Sequence, residues 1–495
     1  MKRCVCITLL VAVIVAVSGV ATGGFSAQKR SKVKIESGTV DSPLNVRVSS
    51  MQELLPYLKL DYVNLVMEPG VYRITAADMR SGKYPSTSEI EEGNIRRVVM
   101  LVEGDHSTYD FTGVTMEIEA GAFTHLESEF REFINLQTLG NHNVIKNLKL
   151  VDIATRQDFP NKGCTNIMVD GSYNRLEGVE LYSIGSSPYG YSDLFGKGRG
   201  AMTRLRKHCG CLVRGDYNHL LNCKVIHRGF GHCIFMQGAD HPVIEGCYVE
   251  GEMRTTDEML AEVHESSLAK QLNYMTTFGY RIPEGYTLAC TEEGIRAYIR
   301  GSTMINGERY QRATTNVTVK DCYVKNARGG IILTHASGFK IVENCTVIGC
   351  QSGYSVGTGK IINCRADTQY GQALGVAYAR DKGTEADITL LPNADRGRNG
   401  SKQIAYIIGS NHKIRFRRGE GLDTPEEDLR IVIGGDNKTI GQLAKDENSS
   451  ASNIEIINDT GYRIEIDDNT SSITGTSRGE VVDNGVDNEV RIIEK

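Results

Sequence analysis

The sequence predicts an all-β fold in a single domain, a parallel β-helix whose one core grows coil by coil. Three observations carry this expectation. Seven stretches fall on one template: NHNVIKNLKL (141–150), SYNRLEGVEL (172–181), DYNHLLNCKV (216–225), DHPVIEGCYV (240–249), TNVTVKDCYV (315–324), GFKIVENCTV (338–347) and GTGKIINCRA (357–366). One apolar column reads Ile145, Leu176, Leu220, Ile244, Val319, Val342, Ile361, and a second reads Leu148, Val179, Cys223, Cys247, Cys322, Cys345, Cys364. Just before the second sits a turn column, Asn147, Gly178, Asn222, Gly246, Asp321, Asn344, Asn363, made of residue types that tolerate left-handed backbone. The columns recur at steps such as 24 residues from Cys223 to Cys247 and 19 from Cys345 to Cys364, the period of a solenoid coil.

The elements follow in chain order. Lys2 and Arg3 precede an apolar run and then small residues, the pattern of a signal peptide over 1–27 with cleavage after Ala21 or Ala27. The expected location is therefore outside the cytoplasm: periplasmic, cell-surface or extracellular. The run nearly reaches the length of a membrane span, so a retained anchor stays open, but no later segment offers a stable span. Residues 28–94 are read as an N-terminal cap, with a short helix in SSMQELLPYL (49–58), limited by Pro56, before a strand with a Pro-Gly turn. Such a cap covers the open end of a solenoid core. The β-helix itself is expected over 95–440, and irregular coils with a C-terminal cap over 441–495.

Two insertions break the rhythm, 185–206 and 251–313, because the step from Val179 to Cys223 is 44 residues and that from Cys247 to Cys322 is 75. Loops this long inside a compact fold are usually functional or disordered. The second contains TTDEMLAEVHESSLAKQLNYM (255–275), read as a helix capped by Thr255 or Thr256 with acids in its first turn.

Composition narrows the function. The formal charge of −5 over 495 residues gives no basic footprint for nucleic acid. Leaving aside Cys4 and Cys6, eleven cysteines remain, five of them in one interior column, which favours buried free thiols over a disulfide framework. No zinc-site spacing occurs.

Alternation along GHCIFMQGAD (231–240), placed over HCGCLVRGD (208–216), assigns Cys209 and Cys233 inward and puts His208 and His232 side by side on the outer face. Lys207 precedes the first imidazole, Arg228 is expected outward on the preceding strand, and the first insertion brings Arg204 and Arg206 beside this face. A basic patch in an acidic protein attracts anionic substrate, and His or a Lys of lowered pKa can serve as base. The alternative is that the imidazoles merely tile a strand face. The outward column also holds Leu212, Met168 and Met236, a sugar platform or a stripe covered by the second insertion. That insertion supplies Arg254, Asp257, Glu258, Glu262, and later Glu292, Glu293 and Arg296; most such charges form a solvated face.

The repeat columns, the turn ladder and the N-terminal cap together resemble the pectate-lyase-like right-handed parallel β-helix superfamily over most of the mature chain. That resemblance implies a right-handed coil and a secreted carbohydrate-active protein. GFGHCI (229–234) is similar to the Gly-His-Gly segment of polygalacturonase-type glycosidases, with Cys233 in place of the second glycine, and the paired acids expected beside it are not evident. The lyases of the superfamily use Lys or Arg bases on an outer sheet.

The leading expectation is an exported enzyme that cleaves an anionic polysaccharide by β-elimination at a uronic acid. Arg228, helped by Arg204 or Arg206, would neutralise the carboxylate, and Lys207, His208 or His232 would take the C5 proton. Arg254, Asp257 and Glu258 are expected to meet substrate from the second insertion. Calcium could share the neutralising role, as in several relatives, although no acid cluster to hold it is evident. Two alternatives stay open: a glycoside hydrolase using Asp257, Glu258 or Glu262, and a non-enzymatic glycan-binding β-helix. Nothing in the sequence sets an oligomeric state.

Overall fold

The computed structural model describes residues 35–83, 86–91, 94–119, 130–153, 163–184, 207–263, 267–276, 279–393, 402–422, 428–435 and 449–493. The signal segment, insertion 185–206 with Arg204 and Arg206, and part of 441–495 lie outside them. Residues 37–495 form one unit.

Each coil lays down three strands, and equivalent strands of successive coils pair in parallel. The first sheet runs through Asn94–Val102, Phe130–Thr138, Gly163–Val169, His208–Asp216, Ile234–Asp240, Glu293–Ala297, Gly329–Ile332 and Ser352–Ser355, and continues to Val481–Asp483. The second includes Val144–Lys146, Arg175–Glu177, His219–Leu221, Val243–Glu245 and Thr315–Lys320. The third includes Lys149–Asp152, Glu180–Ser183, Lys224–His227, Tyr248–Glu250 and Tyr323–Lys325. The architecture is a parallel β-helix, as the columns predict.

The columns do what their residue types require. Both apolar columns are buried, in one core that extends from Val48 to Ile473. Every member of the turn column has positive φ, from 49° at Asn363 to 63° at Gly246. The exposed side chains there bond rung to rung, Asn363 Nδ2 donating to Asn344 Oδ1 at 2.9 Å and Asn344 Nδ2 to Asp321 Oδ1 at 3.2 Å. All eleven cysteines outside the signal segment are buried free thiols. At the N-terminus, Ser50 caps the helix Met51–Leu54, and Pro56 passes the chain into a 3₁₀ turn over Leu55–Lys59. Leu54 and Leu58 plug the core there. No helix among the described residues is long and apolar enough to cross a membrane.

Between the first and second sheets runs a ladder of rings. Tyr62, His106, His142, Tyr173, Tyr217 and His241 stack with centroids 4.6 to 5.0 Å apart and planes within 13°. All six have positive φ, between 50° and 58°. The spacing is that of the strands, so each coil adds one ring. Inside this corner Asn143, Asn174 and Asn218, wholly buried, link coils through backbone N–H groups: Asn143 N donates to Asn174 Oδ1 at 3.0 Å and Asn174 N to Asn218 Oδ1 at 2.7 Å.

Two expectations change. The segment read as one helix over 255–275 forms two short helices, Thr256–Leu260 and Leu268–Gln271, around a small core of Met259, Ala269, Ile282 and Leu288. Within the long step of 251–313, Glu293–Ala297 is a rung strand of the first sheet, paired to Ile234–Asp240 on one side and Gly329–Ile332 on the other. The excursion is therefore two, one before this strand and one after it, the latter an antiparallel hairpin of Gly301–Ile305 with Glu308–Arg312.

The ring ladder makes a stability test. Tyr173 stacks on both neighbours at φ 58°. Tyr173→Asn loses the rings but suits the backbone; Tyr173→Val also places a β-branched residue at positive φ, a strain of about 1–3 kcal/mol. The denaturation midpoint should fall in the order wild type, Asn, Val. Equal midpoints for Asn and Val would show that the backbone there is not held left-handed.

Candidate functional site

The outer face of the first sheet is apolar over its N-terminal coils. Val98, Leu101, Ile134, Met168, Cys209, Leu212 and Phe235 form a second cluster, joined by Leu139, Tyr298 and Met304. The hairpin roofs this stripe: Met304 N and Thr303 Oγ1 both donate to Asp170 Oδ1 at 3.3 Å, and Arg312 Nε donates to the Gly238 carbonyl at 2.8 Å. The stripe of Met168 and Leu212 is thus covered rather than a sugar platform. Met236 belongs to the interior core.

The register around His232 differs from the expected one, and a bulge is the reason. Gly215 pairs with Ala239, a step of 24, but Val213 pairs with Met236, a step of 23. The extra residue lies at Gln237–Gly238, with Gly238 at φ 67°. The extra residue shifts the upstream register by one and reverses the faces of Ile234, Phe235 and Met236, so that Ile234 and Met236 lie in the interior core and Phe235 in the outer cluster, while Cys233 stays interior. The proposed neighbours His208 and His232 are therefore not column mates. His208, wholly buried, is in register with Cys164 of the interior core. His232 aligns with Cys209, the Gly210 N–H donating to its carbonyl at 2.8 Å. Cys209 lies in the outer cluster and Cys233 in the interior one, so those thiols face opposite sides.

What His232 meets is the rung strand that sequence reasoning hid inside an insertion. Its Nδ1 lies 2.8 Å from Glu293 Oε2 and its Nε2 3.2 Å from Glu292 Oε2. The same Nε2 is 2.5 Å from the Tyr298 hydroxyl. Glu293 Oε1 accepts from Arg296 at 2.6 Å and from Arg328 at 2.5 Å, Arg328 is 3.8 Å from Glu292 Oε1, and Lys207 Nζ donates to Glu292 Oε2. Gly329 makes room, since a Cβ there would come within 2.7 Å of Glu293 Cγ. The Arg296 guanidinium lies 4.6 Å from the Tyr298 ring centre.

Exposure sorts this cluster by sign. The side chains of Glu292, His232 and Glu293 are 0, 2 and 6% exposed, whereas Arg296, Arg328 and Lys207 are 16, 21 and 33% exposed. The carboxylates lie beneath and the cations reach solvent. Burial opposes ionisation of Glu293, but Arg328, His232 and Arg296 outweigh it and hold the carboxyl well below its usual range. Burial pulls the His232 imidazole below its ordinary value against the attraction of Glu292 and Glu293. Burial, with the charge of Glu292, raises the Tyr298 phenol.

His232, Glu292 and Glu293 also bring one ligand atom each within 4.8 Å of one another, the one such group among the described residues. They do not fit calcium. That ion takes about six to eight oxygen ligands, while here one ligand is a nitrogen and both carboxylates already face organic cations.

The other expected site residues lie apart. Arg228 points outward from the third sheet, where it donates to the Gly251 carbonyl at 2.5 Å and pairs with Glu250 at 3.2 Å. Arg254 pairs with Glu262 and, at 3.9 Å, with Glu258, whose N–H the Thr255 hydroxyl caps. Asp257 Oδ1 accepts from Gly285 N at 3.1 Å. These groups hold the excursion's own helix. Lys207 and His232 alone of the expected set meet in the cluster.

No protein-family profile matches the chain, and no curated protein does. Among solved structures it is similar to the Dettilon tailspike protein, with 10% identity over 90% of this chain and 68% of that one and a TM-score of 0.42. It is also similar to a PL6 alginate lyase in complex with a trisaccharide, with 12% identity over 92% and 87% and a TM-score of 0.38. A third is the alginate lyase AlyF-OU02 with G6, with 12% identity over 91% and 86% and a TM-score of 0.34. The fold of this chain rests on the strand pairing itself.

Behind the site the core is polar. Asp152, Ser183 and His227 share one interior column of the third sheet, and the Ser183 hydroxyl donates to Asp152 Oδ2 at 3.0 Å. Burial pushes the Asp152 carboxyl up to about 7. The folded protein therefore keeps a proton that the unfolded chain releases near the ordinary carboxylate value of 3.8. Between those values the folded state binds more protons, so stability falls as pH rises through the window. The melting temperature of wild type should decline from about pH 4 to pH 7, and Asp152→Asn should flatten that decline. An unchanged slope in the variant would show that Asp152 is ionised in the fold.

Proposed function

We propose that this chain is an exported enzyme that cleaves an anionic polysaccharide by β-elimination at a uronic acid, using the outer face of the first sheet around His232. The observation that carries this reading is the sorting of charge: Glu292 and Glu293 are buried, and the cations they hold, Lys207, Arg296 and Arg328, are what solvent meets. Export rests on the amino-terminal pattern of Lys2, Arg3 and the apolar run.

β-Elimination needs the substrate carboxylate neutralised, so that the C5 proton becomes acidic, and a group to remove that proton. Arg296 and Arg328 suit the first task, because guanidinium groups bind carboxylates in a fixed fork geometry. The cationic surface extends beyond them. Arg380 stacks over the Tyr378 ring at 4.1 Å and Tyr378 meets His335. Burial and the charges of Arg296 and Arg380 hold the His335 imidazole below its ordinary value. A polymer with repeated negative charge would find several partners along this face.

Hydrolysis fits less well. It requires a carboxylic acid that holds its proton and a second carboxylate across the scissile bond. Glu293 is held ionised by its arginines, and Asp257, Glu258 and Glu262 are engaged within their excursion.

The test is product chemistry on polygalacturonate, alginate, a sulfated glycosaminoglycan and a neutral glucan. Wild type should generate the ultraviolet absorbance of a C4=C5 unsaturated uronate on at least one acidic polymer and none on the glucan. Arg296→Gln and Arg328→Gln should each reduce kcat/KM about 10- to 100-fold, the worth of one charge-assisted hydrogen bond. New reducing ends without unsaturated product would establish a hydrolase instead.

A further inference from the structure

We propose that Tyr298 is the catalytic residue that exchanges protons with the sugar, and that His232 and Glu293 are positioning residues behind it that store and balance the proton. This rests on the β-elimination reading above. The starting point is access. The His232 side chain is 2% exposed, so it cannot itself touch a polymer. Its Nε2 is 2.5 Å from the Tyr298 hydroxyl, and Tyr298 is half-buried at the edge of the cluster.

The hydrogen-bond chemistry then fixes directions. Ionised Glu293 can only accept, so its proximity at 2.8 Å favours the hydrogen of a neutral ring on Nδ1. In a neutral imidazole Nε2 is then the acceptor, and the phenol O–H donates to it. Hydroxyl, imidazole and carboxylate stand in the order of a serine-hydrolase triad, with a phenol in front.

The step balances. As Tyr298 Oη takes the C5 proton, its own proton moves to His232 Nε2, giving an imidazolium between Glu292 and Glu293. The C5–H electron pair becomes the C4=C5 double bond, and the C4–O4 pair departs with the leaving oxygen. The imidazolium returns its proton through Tyr298 to that oxygen, restoring the resting state. Arg296, 4.6 Å from the phenol ring centre and 2.6 Å from Glu293, favours negative charge on the ring during transfer. The Tyr298 backbone is fixed by its N–H donating to the Met236 carbonyl at 3.0 Å.

The experiment uses the full-length protein in two arms. On the uronate polymer it cleaves, Tyr298→Phe should lower kcat about 10²–10⁴-fold, the range of general acid–base catalysis, with KM little changed. His232→Gln, which keeps a hydrogen-bond partner for the phenol but cannot titrate, should lower kcat and erase the limb of the pH profile that the imidazole sets. Tyr310→Phe, on the roof hairpin, should match wild type. The second arm needs no substrate and no variant: ¹⁵N resonances of the His232 ring should report protonated Nδ1 and an acceptor Nε2 near neutral pH. Near-wild-type kcat in Tyr298→Phe, with unsaturated product still forming, overturns the role of Tyr298 and leaves the β-elimination reading intact. Absence of unsaturated product in wild type removes that reading, and the ring resonances then decide the relay alone. Protonated Nε2 with bare Nδ1 overturns it; the reverse supports it for another proton transfer at the same site.

Discussion

The constraint on which this molecule depends is that each coil must repeat the last at one strand spacing. Columns of Ile, Val, Leu and Cys fill the interior, and columns of Asn and Gly turn the corner, because each residue sees a like residue above and below it. A regular stack of this kind has no reason to gather chemistry at one point. The site arises where the repetition is broken. The bulge at Gln237–Gly238 shifts His232 by one residue against the preceding rung and sets it beside Cys209. Two excursions then isolate a short rung, Glu293–Ala297, that places a carboxylate beside that imidazole. Gly329 on the following rung leaves the space it occupies.

Breaking the pattern has an electrostatic consequence. A carboxylate withdrawn from water is tolerated only when counter-charges and hydrogen bonds surround it. Glu292 and Glu293 satisfy this through Lys207, Arg296, Arg328 and His232, and the geometry forces the long cationic side chains to approach from solvent. The cationic surface is therefore a product of the buried acids. Arginine on a bare apolar strand would have no fixed direction; here the carboxylates orient two guanidinium groups before any ligand arrives, which is the preorganisation that transition-state stabilisation requires.

The periodic part of the fold was readable and the aperiodic part was not. Ile145 to Ile361, Leu148 to Cys364 and Asn147 to Asn363 all adopt the burial or backbone that their column implied. The ring ladder was also present, as the second letter of the first four repeat stretches, His142, Tyr173, Tyr217 and His241. It carries no apolar or turn signature, so counting by residue class passes over it. The face of His208 failed for a different reason. Alternation breaks on its own strand, where Cys209 lies in the outer cluster and Cys211, two residues on, in the interior core; the bulge between Met236 and Ala239 then shifts the next rung by one residue. Glu292, Glu293 and Arg296 were visible as charges but stood in a long step between repeats, where a solvated loop is the ordinary reading. The one hint of a rung there was the short apolar alternation around Ile295 and Ala297.

The interior behind the site explains how such a break can be held. Most of the core is apolar, but the third-sheet column passes from Ile118 to Asp152, Ser183 and His227 just where the first sheet receives Lys207 and His232. Burial pulls the His227 imidazole down to about 4, so it is neutral, and its Nε2 lies 2.6 Å from the His208 carbonyl. A carbonyl only accepts, so Nε2 carries the hydrogen, and Nδ1 is left to accept from the Gly229 N–H at 3.4 Å. One ring thus ties the residue after Lys207 to the Gly229–Gly231 corner that leads to His232. Since Gly231 has φ 152° and a Cβ there would come within 2.1 Å of the same His208 carbonyl, the corner closes only with glycine outside and imidazole inside. The local rule that makes the tight corner and the buried histidine that braces it are two halves of one arrangement, and together they set the distance between Lys207 and His232 on the face above.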